Sequence, residues 1–258
     1  MTETQTKFVE PILETFENED IKNFAIKLLN DLPDYIWHVG ASSTGKYHPK
    51  YSLGDGGLMR HQVAVVRFLN FLLELEQYGS GITSREKDLM RTAALIHDGR
   101  KSGTQEEYDK SKYTKFDHPI LMANVIRSME GLDTGERDFI AHCIESHMGQ
   151  WCLDKKTKFE LPKPMDEYQK LVHLADYLAS RKDLTMEFNN LVVNDIKPVE
   201  VDIDSYTLEF GKYKGEKLVD VYYKKPDYIV WMEENIQRKD VQDAIAALKK
   251  KIEEDDEL

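Results

Sequence analysis

The sequence predicts a mainly α-helical protein, in which a large all-helical domain at residues 1–190 precedes a small α+β module at residues 205–258. Long segments with helical period fill the first domain, and strand patterns are nearly absent from it. Near residue 195 the pattern changes to the alternating stretch YTLEF, followed by a Lys-Gly turn. Residues 191–204 are therefore predicted to be a linker.

The helical domain is expected to begin with two helices and a short third one, in FVEPILETF, IKNFAIKLLNDL and LPDYIW. Residues 39–57 are rich in glycine, serine and proline and are predicted to form an irregular connection. A long helix is predicted from Leu58 to about Tyr78. Helical period recurs in REKDLMRTAALIHD, HPILMANVIRSMEGL, GERDFIAHCIESHMG and MDEYQKLVHLADYLASR. After the linker, two short helices and an amphipathic last helix, DVQDAIAALKKKIEE, are expected.

The composition is that of a globular protein without a membrane segment. Of the 258 residues 41% are hydrophobic, and no apolar run approaches the roughly 20 residues of a membrane helix. The N-terminus, MTETQTKFVEPILETF, is polar and acidic, unlike a signal or transit peptide. Cys143 and Cys152 are too few for a disulfide scaffold or a thiolate metal site. We therefore expect a cytoplasmic protein that does not bind membranes.

Four histidines lie on the apolar faces of separate predicted helices. His61, His97 and His147 recur at helical spacing with aliphatic neighbours, and His118 does so directly before Pro119, a residue that favours a helix start. A single inward histidine is usually a satisfied core residue. Four of them in one domain indicate a shared partner.

Two aspartates accompany these histidines. Asp98 directly follows His97 and is turned by about 100° from it around the helix. Asp176 lies in the apolar segment LVHLADYLAS, where an unpaired carboxylate would be costly. A bound cation would satisfy carboxylates and imidazoles together, and this donor set suits Mn, Fe, Co, Ni or Zn. The absence of cysteine ligands argues against a closed structural zinc site.

The order of these six residues resembles that of the HD-domain metal-dependent phosphohydrolase superfamily. GGLMRH is similar to the family's opening motif GGL-x-x-H, and AALIHDGRK to its central motif with a trailing lysine. SHMGQW and HLADYLASR are similar to the late histidine and aspartate motifs. The resemblance covers about residues 35–185, and its late part is also similar to the HD part of YhaM-type 3′–5′ exoribonucleases.

The resemblance implies a centre of two divalent transition-metal ions, with Asp98 bridging them. The implied ligands are His61, His97, Asp98 and Asp176 for the first ion, and His118 and His147 for the second. His142 is the alternative to His147, but it lies about 140° away on the helix and off the apolar stripe.

Further residues are assigned to catalysis around Asp98. Lys101 lies four residues after His97 and three after Asp98, so it projects toward the same cleft. We assign Lys101 to phosphate binding or transition-state stabilisation, and the alternative is a helix-terminal lysine that complements the helix dipole. His173, three residues before Asp176, is expected to orient a metal ligand.

Two loops supply candidate substrate-binding residues. Ser43 and Lys46 lie in ASSTGKYHP, for which a connecting loop without function is the equal alternative. Lys115 lies in KSGTQEEYDKSKYTKFDH, which is either a local basic pocket or a solvated loop of mixed charge. The net charge of −12 argues against a protein that coats nucleic acid by bulk electrostatics.

The tail provides a second resemblance. LEFGKYKGEKLVDVYYKKPDYIVWMEEN, at about residues 205–240, resembles the C-terminal module of exodeoxyribonuclease X-like proteins. This resemblance suggests work near nucleic acid. The alternative is a generic module that stabilises the protein or dimerises, and in the second case the protein is a homo-oligomer.

These observations predict a metal-dependent phosphohydrolase. It would cleave phosphoester or phosphoanhydride bonds of a nucleotide, or of a single-stranded nucleic-acid 3′ end, through metal-activated hydroxide. Two alternatives use the same ligands: a mixed-valence di-iron oxygenase of the HD type, and a protein that binds or sequesters a nucleotide.

Overall fold

The protein is mainly α-helical, as predicted. A computed structural model describes residues 1–42, 48–188, 190–194, 201–236 and 238–256. Within these ranges, β pairing is limited to two isolated antiparallel bridges, Leu153 with Glu160 and Thr207 with Lys217. None of the helices in the described part of the chain is long and apolar enough to span a lipid bilayer.

Two N-terminal helices, α1 (Glu3–Leu13) and α2 (Glu19–Asp31), lead into a 3-10 turn at Asp34–Trp37. The start of α1 is fixed by a capping box, in which the side chains of Thr2 and Gln5 each accept a hydrogen bond from the other's main-chain N–H. The apolar faces of both helices are buried in the main hydrophobic core.

The helix α3 (Gly57–Glu74) runs through the middle of the domain, packed against the later helices α5 and α9. Its first turns are buried on all sides, because Gly57 lets the backbone approach closely: a Cβ there would come within 2.5 Å of the Ser52 carbonyl oxygen. The predicted helix to Tyr78 is broken, since the chain is extended at Leu75 before the short helix α4 (Glu76–Gly79).

Five helices complete the first core: α5 (Ser84–Ile96), α6 (Gln105–Lys110), α7 (His118–Ser128), α8 (Thr134–Glu145) and α9 (Glu167–Ala179). Helix α8 packs against α5, α7 and α9, and α5 also packs against α2 and α3. The ends of α5, α7 and α8 therefore meet near the middle of α9.

The C-terminal residues form a second, separate hydrophobic core from α10 (Leu218–Lys224), α11 (Pro226–Asn235) and α12 (Lys239–Asp256). The β part predicted from YTLEF is reduced to the bridge between Thr207 and Lys217. Because α10 begins at Leu218, directly after Lys217, the segment that would pair with YTLEF is too short to form a β-ladder.

The predicted linker falls partly on residues 195–200, which lie outside the described residues. Its first residues pack on the helical domain: the side-chain amide of Asn194 donates to the Trp37 carbonyl at 2.7 Å and accepts from Gln5 at 3.0 Å. The two cores support a division into two domains, and the boundaries stay a prediction.

Candidate metal centre

Five helices bring the six predicted ligands together. The residues are His61 in α3, His97 and Asp98 at the end of α5, His118 at the start of α7, His147 just after α8, and Asp176 in α9. All but Asp176 are almost fully buried, and the Asp176 side chain is 21% exposed. Asp176 therefore marks the side of the cluster that is open to solvent.

One group of side chains gathers around Asp176. Its Oδ1 lies 3.0 Å from His61 Nε2 and 3.7 Å from His97 Nε2. The ligand atoms of these three residues all lie within 4.8 Å of one another, which is close enough to share one ion.

A second group gathers around Asp98. Oδ2 of Asp98 lies 3.8 Å from His97 Nε2, while Oδ1 lies 3.0 Å from His118 Nε2 and 4.0 Å from His147 Nε2. His97 belongs to both groups, so the two positions are neighbours. The donor set of each is imidazole and carboxylate, as intermediate transition metals prefer.

Three of the histidines are held in one tautomer. Nδ1 of His97, His118 and His147 lies 2.9, 2.6 and 2.7 Å from the main-chain carbonyl oxygen three residues earlier. Because a carbonyl can only accept, each Nδ1 carries the proton and each neutral ring keeps its lone pair on Nε2. All three Nε2 atoms face the aspartates, and that of His118 is buried without an aligned hydrogen bond. This is how metal-binding histidines are usually oriented, and the residues therefore fit a divalent ion.

The protonation states of the side chains in the cluster also suit metal binding. Burial opposes ionisation of Asp98, but the positive charge of Lys101 and the neighbouring His97 hold its pKa well below the usual value. Burial lowers the pKa of His147 to about 3. At neutral pH the carboxylate is therefore ionised and the imidazole neutral, the forms in which both bind metals.

Lys101 lies beside the cluster. Its ammonium group donates to Oδ2 of Asp98 at 2.5 Å, and the side chain is partly buried. Lys115 contributes differently from the prediction: its carbonyl oxygen accepts from His118, while its ammonium group pairs with Glu107. The other candidate substrate-binding residues, Ser43 and Lys46, lie outside the described residues.

The structure separates the two histidines of α8 and its C-terminal turn. His147 is in the cluster, whereas His142 is exposed on the other side of the helix. His173 lies behind His147, and its Nδ1 is 2.6 Å from the His147 carbonyl oxygen. This hydrogen bond fixes the main chain of a candidate ligand, as proposed for His173.

His48 is a neighbour that the sequence reasoning left without a role. Its ring lies edge-on to the ring of His61, with 5.8 Å between centroids, and its Nδ1 is buried without a hydrogen bond within the described residues. Burial lowers the pKa of His48 to about 4. The available signal was its place in the loop just before GGLMRH.

Comparisons with known families agree with this arrangement. The sequence model described as HD domain matches residues 58–181, which include every residue of the cluster. A second one, described as Exodeoxyribonuclease X-like C-terminal, matches residues 208–237. No curated protein and no solved structure gives a significant match.

Proposed function

Because residues 58–181 belong to the HD domain family, we propose that the protein is a metal-dependent phosphohydrolase that cleaves phosphoester or phosphoanhydride bonds of a nucleotide or a nucleic-acid 3′ end. An HD domain binds divalent metal ions, and we propose in addition the reaction that this domain catalyses and the substrates that it cleaves. The observation that carries it is the set of histidines locked with Nε2 toward two ionised carboxylates, next to a partly buried lysine.

We assign two ions to the centre. The proposed ligands are His61, His97, Asp98 and Asp176 for one, and Asp98, His118 and His147 for the other. Such ions would lower the pKa of water and stabilise negative charge developing at phosphorus. Transition metals such as Mn, Fe, Co, Ni or Zn fit the donor set.

The protein's own residues position the reactants. Asp98 spans the two groups through its two oxygens, so its orientation fixes the spacing between them. Lys101 holds that carboxylate and offers its remaining N–H donors toward the same cleft, where they can bind a phosphate oxygen. We therefore assign Lys101 to charge stabilisation in the transition state.

The second family match favours a nucleic-acid or nucleotide substrate. Its description names an exodeoxyribonuclease X-like module, and such modules are linked to nuclease domains. The net charge of −12 weighs against long polymers. A nucleotide or a short single-stranded end satisfies both observations.

Product chromatography tests this proposal. The Mn²⁺-loaded protein is incubated with mononucleotides, triphosphates, cyclic nucleotides, dinucleotides and short single-stranded DNA and RNA, beside Asp98→Asn, Lys101→Met and the control His142→Ala. We expect cleavage of at least one substrate, no cleavage by Asp98→Asn, and a loss of about 100-fold or more in Lys101→Met with metal retained. The control should match wild type.

Other results would redirect the assignment. Cleavage that persists in Asp98→Asn would contradict the proposed centre. A metal-loaded protein that cleaves nothing on the panel but consumes oxygen would be an oxygenase, and one that only binds a nucleotide would be a sequestering protein.

A further inference from the structure

A column of aromatic rings and an arginine stands beside the metal centre. The rings of Trp151 and Tyr177 are stacked at 5.8 Å with an interplanar angle of 15°, and the Arg181 guanidinium lies 4.6 Å from the centre of the Tyr177 ring. Trp151 is 46% exposed. None of the proposed chemistry uses these three side chains.

The fold attaches this column directly to the proposed ligands. Tyr177 follows Asp176 in α9, and the 3-10 turn Gly149–Trp151 follows His147. His173 lies between the two segments, bonded to the His147 carbonyl and with its ring 6.3 Å from that of Trp151.

Gly149 makes this arrangement possible. Its φ is +52°, and a Cβ there would come within 2.2 Å of the His173 ring. The turn therefore packs closely against α9, and the indole lies on Tyr177, the residue after Asp176.

The surroundings are rich in positive charge. Arg181 forms no ion pair within the described residues; its Nε is buried without a hydrogen bond, and Nη2 has a long one, 3.4 Å, to the Ser180 hydroxyl. Immediately after Trp151, the hairpin closed by the bridge from Leu153 to Glu160 exposes three lysines that also lack ion pairs in the described part of the chain. They are Lys155, Lys156 and Lys158.

We propose that Trp151, Tyr177 and Arg181 form a subsite for an unpaired nucleobase attached to the phosphate that enters the metal centre. The base stacks on Trp151, and the Arg181 guanidinium binds a phosphate oxygen. Aromatic faces accept any base, and unpaired cations favour a ligand that carries phosphate. This inference rests on the proposed function, because it places the base next to the scissile phosphate.

Fluorescence anisotropy measures the subsite without requiring turnover. The ligand is a fluorescein-labelled octathymidylate with phosphorothioate linkages at its 3′ end, and an abasic deoxyribose-phosphate octamer serves as the ligand control. The variants are Trp151→Ala, Trp151→Phe and the control Phe71→Ala. Phe71 is 58% exposed and lies in α3, ten residues after His61 and outside the C-terminal module.

We expect Trp151→Ala to weaken binding of the octathymidylate by about tenfold to a hundredfold, because one base-stacking contact is lost. Trp151→Phe should recover most of it, and Phe71→Ala should change it by less than about twofold. The abasic octamer should bind the wild type and Trp151→Ala equally. Arg181→Ala should weaken both ligands and reduce the salt dependence by about one phosphate contact.

Unchanged binding in Trp151→Ala, no wild-type binding of the octathymidylate, or equal losses in Trp151→Ala and Phe71→Ala would each overturn the inference. Competition by thymidine monophosphate distinguishes a single nucleotide from a strand end as the source of the base. Hydrolysis of bis(p-nitrophenyl) phosphate, which has no base, separates the two proposals. If the wild type cleaves neither this diester nor any substrate of the panel, the phosphohydrolase is refuted, whereas a loss of oligonucleotide binding in Trp151→Ala still supports the subsite.

Discussion

Asp88 joins the helix that ends at the metal centre to the turn between α1 and α2. Its Oδ2 accepts hydrogen bonds from the main-chain N–H groups of Glu17 and Asn18, at 2.9 and 2.7 Å, and from the Asn18 side-chain amide at 2.8 Å. Its Oδ1 accepts from the Arg91 guanidinium at 2.6 Å. Since Asp88 is in the first turns of α5, these bonds hold the helix that presents His97.

The magnitude of an Asp88→Ala change follows from these contacts. Asp88 is fully buried and Arg91 is 9% exposed, so removal of the carboxylate leaves a buried guanidinium and three donors without their acceptor. Removing one partner of a buried ion pair lowers the free energy of unfolding by about 3–5 kcal/mol. The loss of four hydrogen bonds at about 1 kcal/mol each gives a similar value. Asp88→Asn keeps one acceptor oxygen, so we expect about half of this loss.

Urea unfolding followed by circular dichroism measures the free energy of unfolding of each variant. The control is Asp20→Ala, since Asp20 is 53% exposed and pairs with Arg85 on the surface, where an ion pair contributes about 0–1 kcal/mol. If Asp88→Ala destabilises the protein no more than Asp20→Ala does, the reasoning about the buried network is refuted.

Two further predictions concern the centre and its surroundings. His147→Ala should lower the bound metal, measured by mass spectrometry after dialysis, from about two ions per chain toward one, whereas the exposed His142→Ala should keep it; equal losses would contradict the assignment. Burial raises the pKa of Tyr35 to about 12, so the unfolded chain, with a tyrosine pKa near 10, releases this proton first. The resulting stability loss of about 2–3 kcal/mol as pH rises from about 10 to 12 should be smaller in Tyr35→Phe, measured by urea unfolding at alkaline pH.

The sequence was sufficient for most of the helices and for the inward faces of the histidines. Helical period places His61 and His97 among buried aliphatic residues, and the structure finds both almost fully buried. The same reasoning separates His147 from His142. The two residues are about 140° apart around the helix, and this angle does not depend on where the helix is predicted to begin or end. The ligand assignment itself stays a proposal.

Other features depend on tertiary contacts that sequence patterns do not contain. The loop with the lysines includes α6, although the Thr104 to Glu107 capping box was a visible signal for it. Lys115 pairs with Glu107 once that helix forms, so its ammonium group is tied to a neighbour. The break at Leu75 has no glycine or proline at the break itself. Gly79, four residues later, lies so close to Leu73 that a Cβ would come within 1.8 Å of the Leu73 carbonyl oxygen, and this contact is not visible in the sequence pattern.

The hydrogen bonds that orient the ligands are properties of helix ends. The last carbonyl groups of a helix lack partners within the helix. At the end of α5, His97 Nδ1 donates to the Ala94 carbonyl; at the end of α8, His147 Nδ1 donates to the Ile144 carbonyl, which also accepts from the His147 main-chain N–H. The same bonds direct Nε2 of both rings toward the aspartates. His61, inside α3, has no such carbonyl, and its buried Nδ1 is without a hydrogen bond in the part of the chain described. Its Nε2 contacts Asp176 and its ring packs edge-on against that of His48. Of these three candidate ligands, His61 is therefore the one that no main-chain hydrogen bond orients within the described residues, and the proposed ion would orient it most.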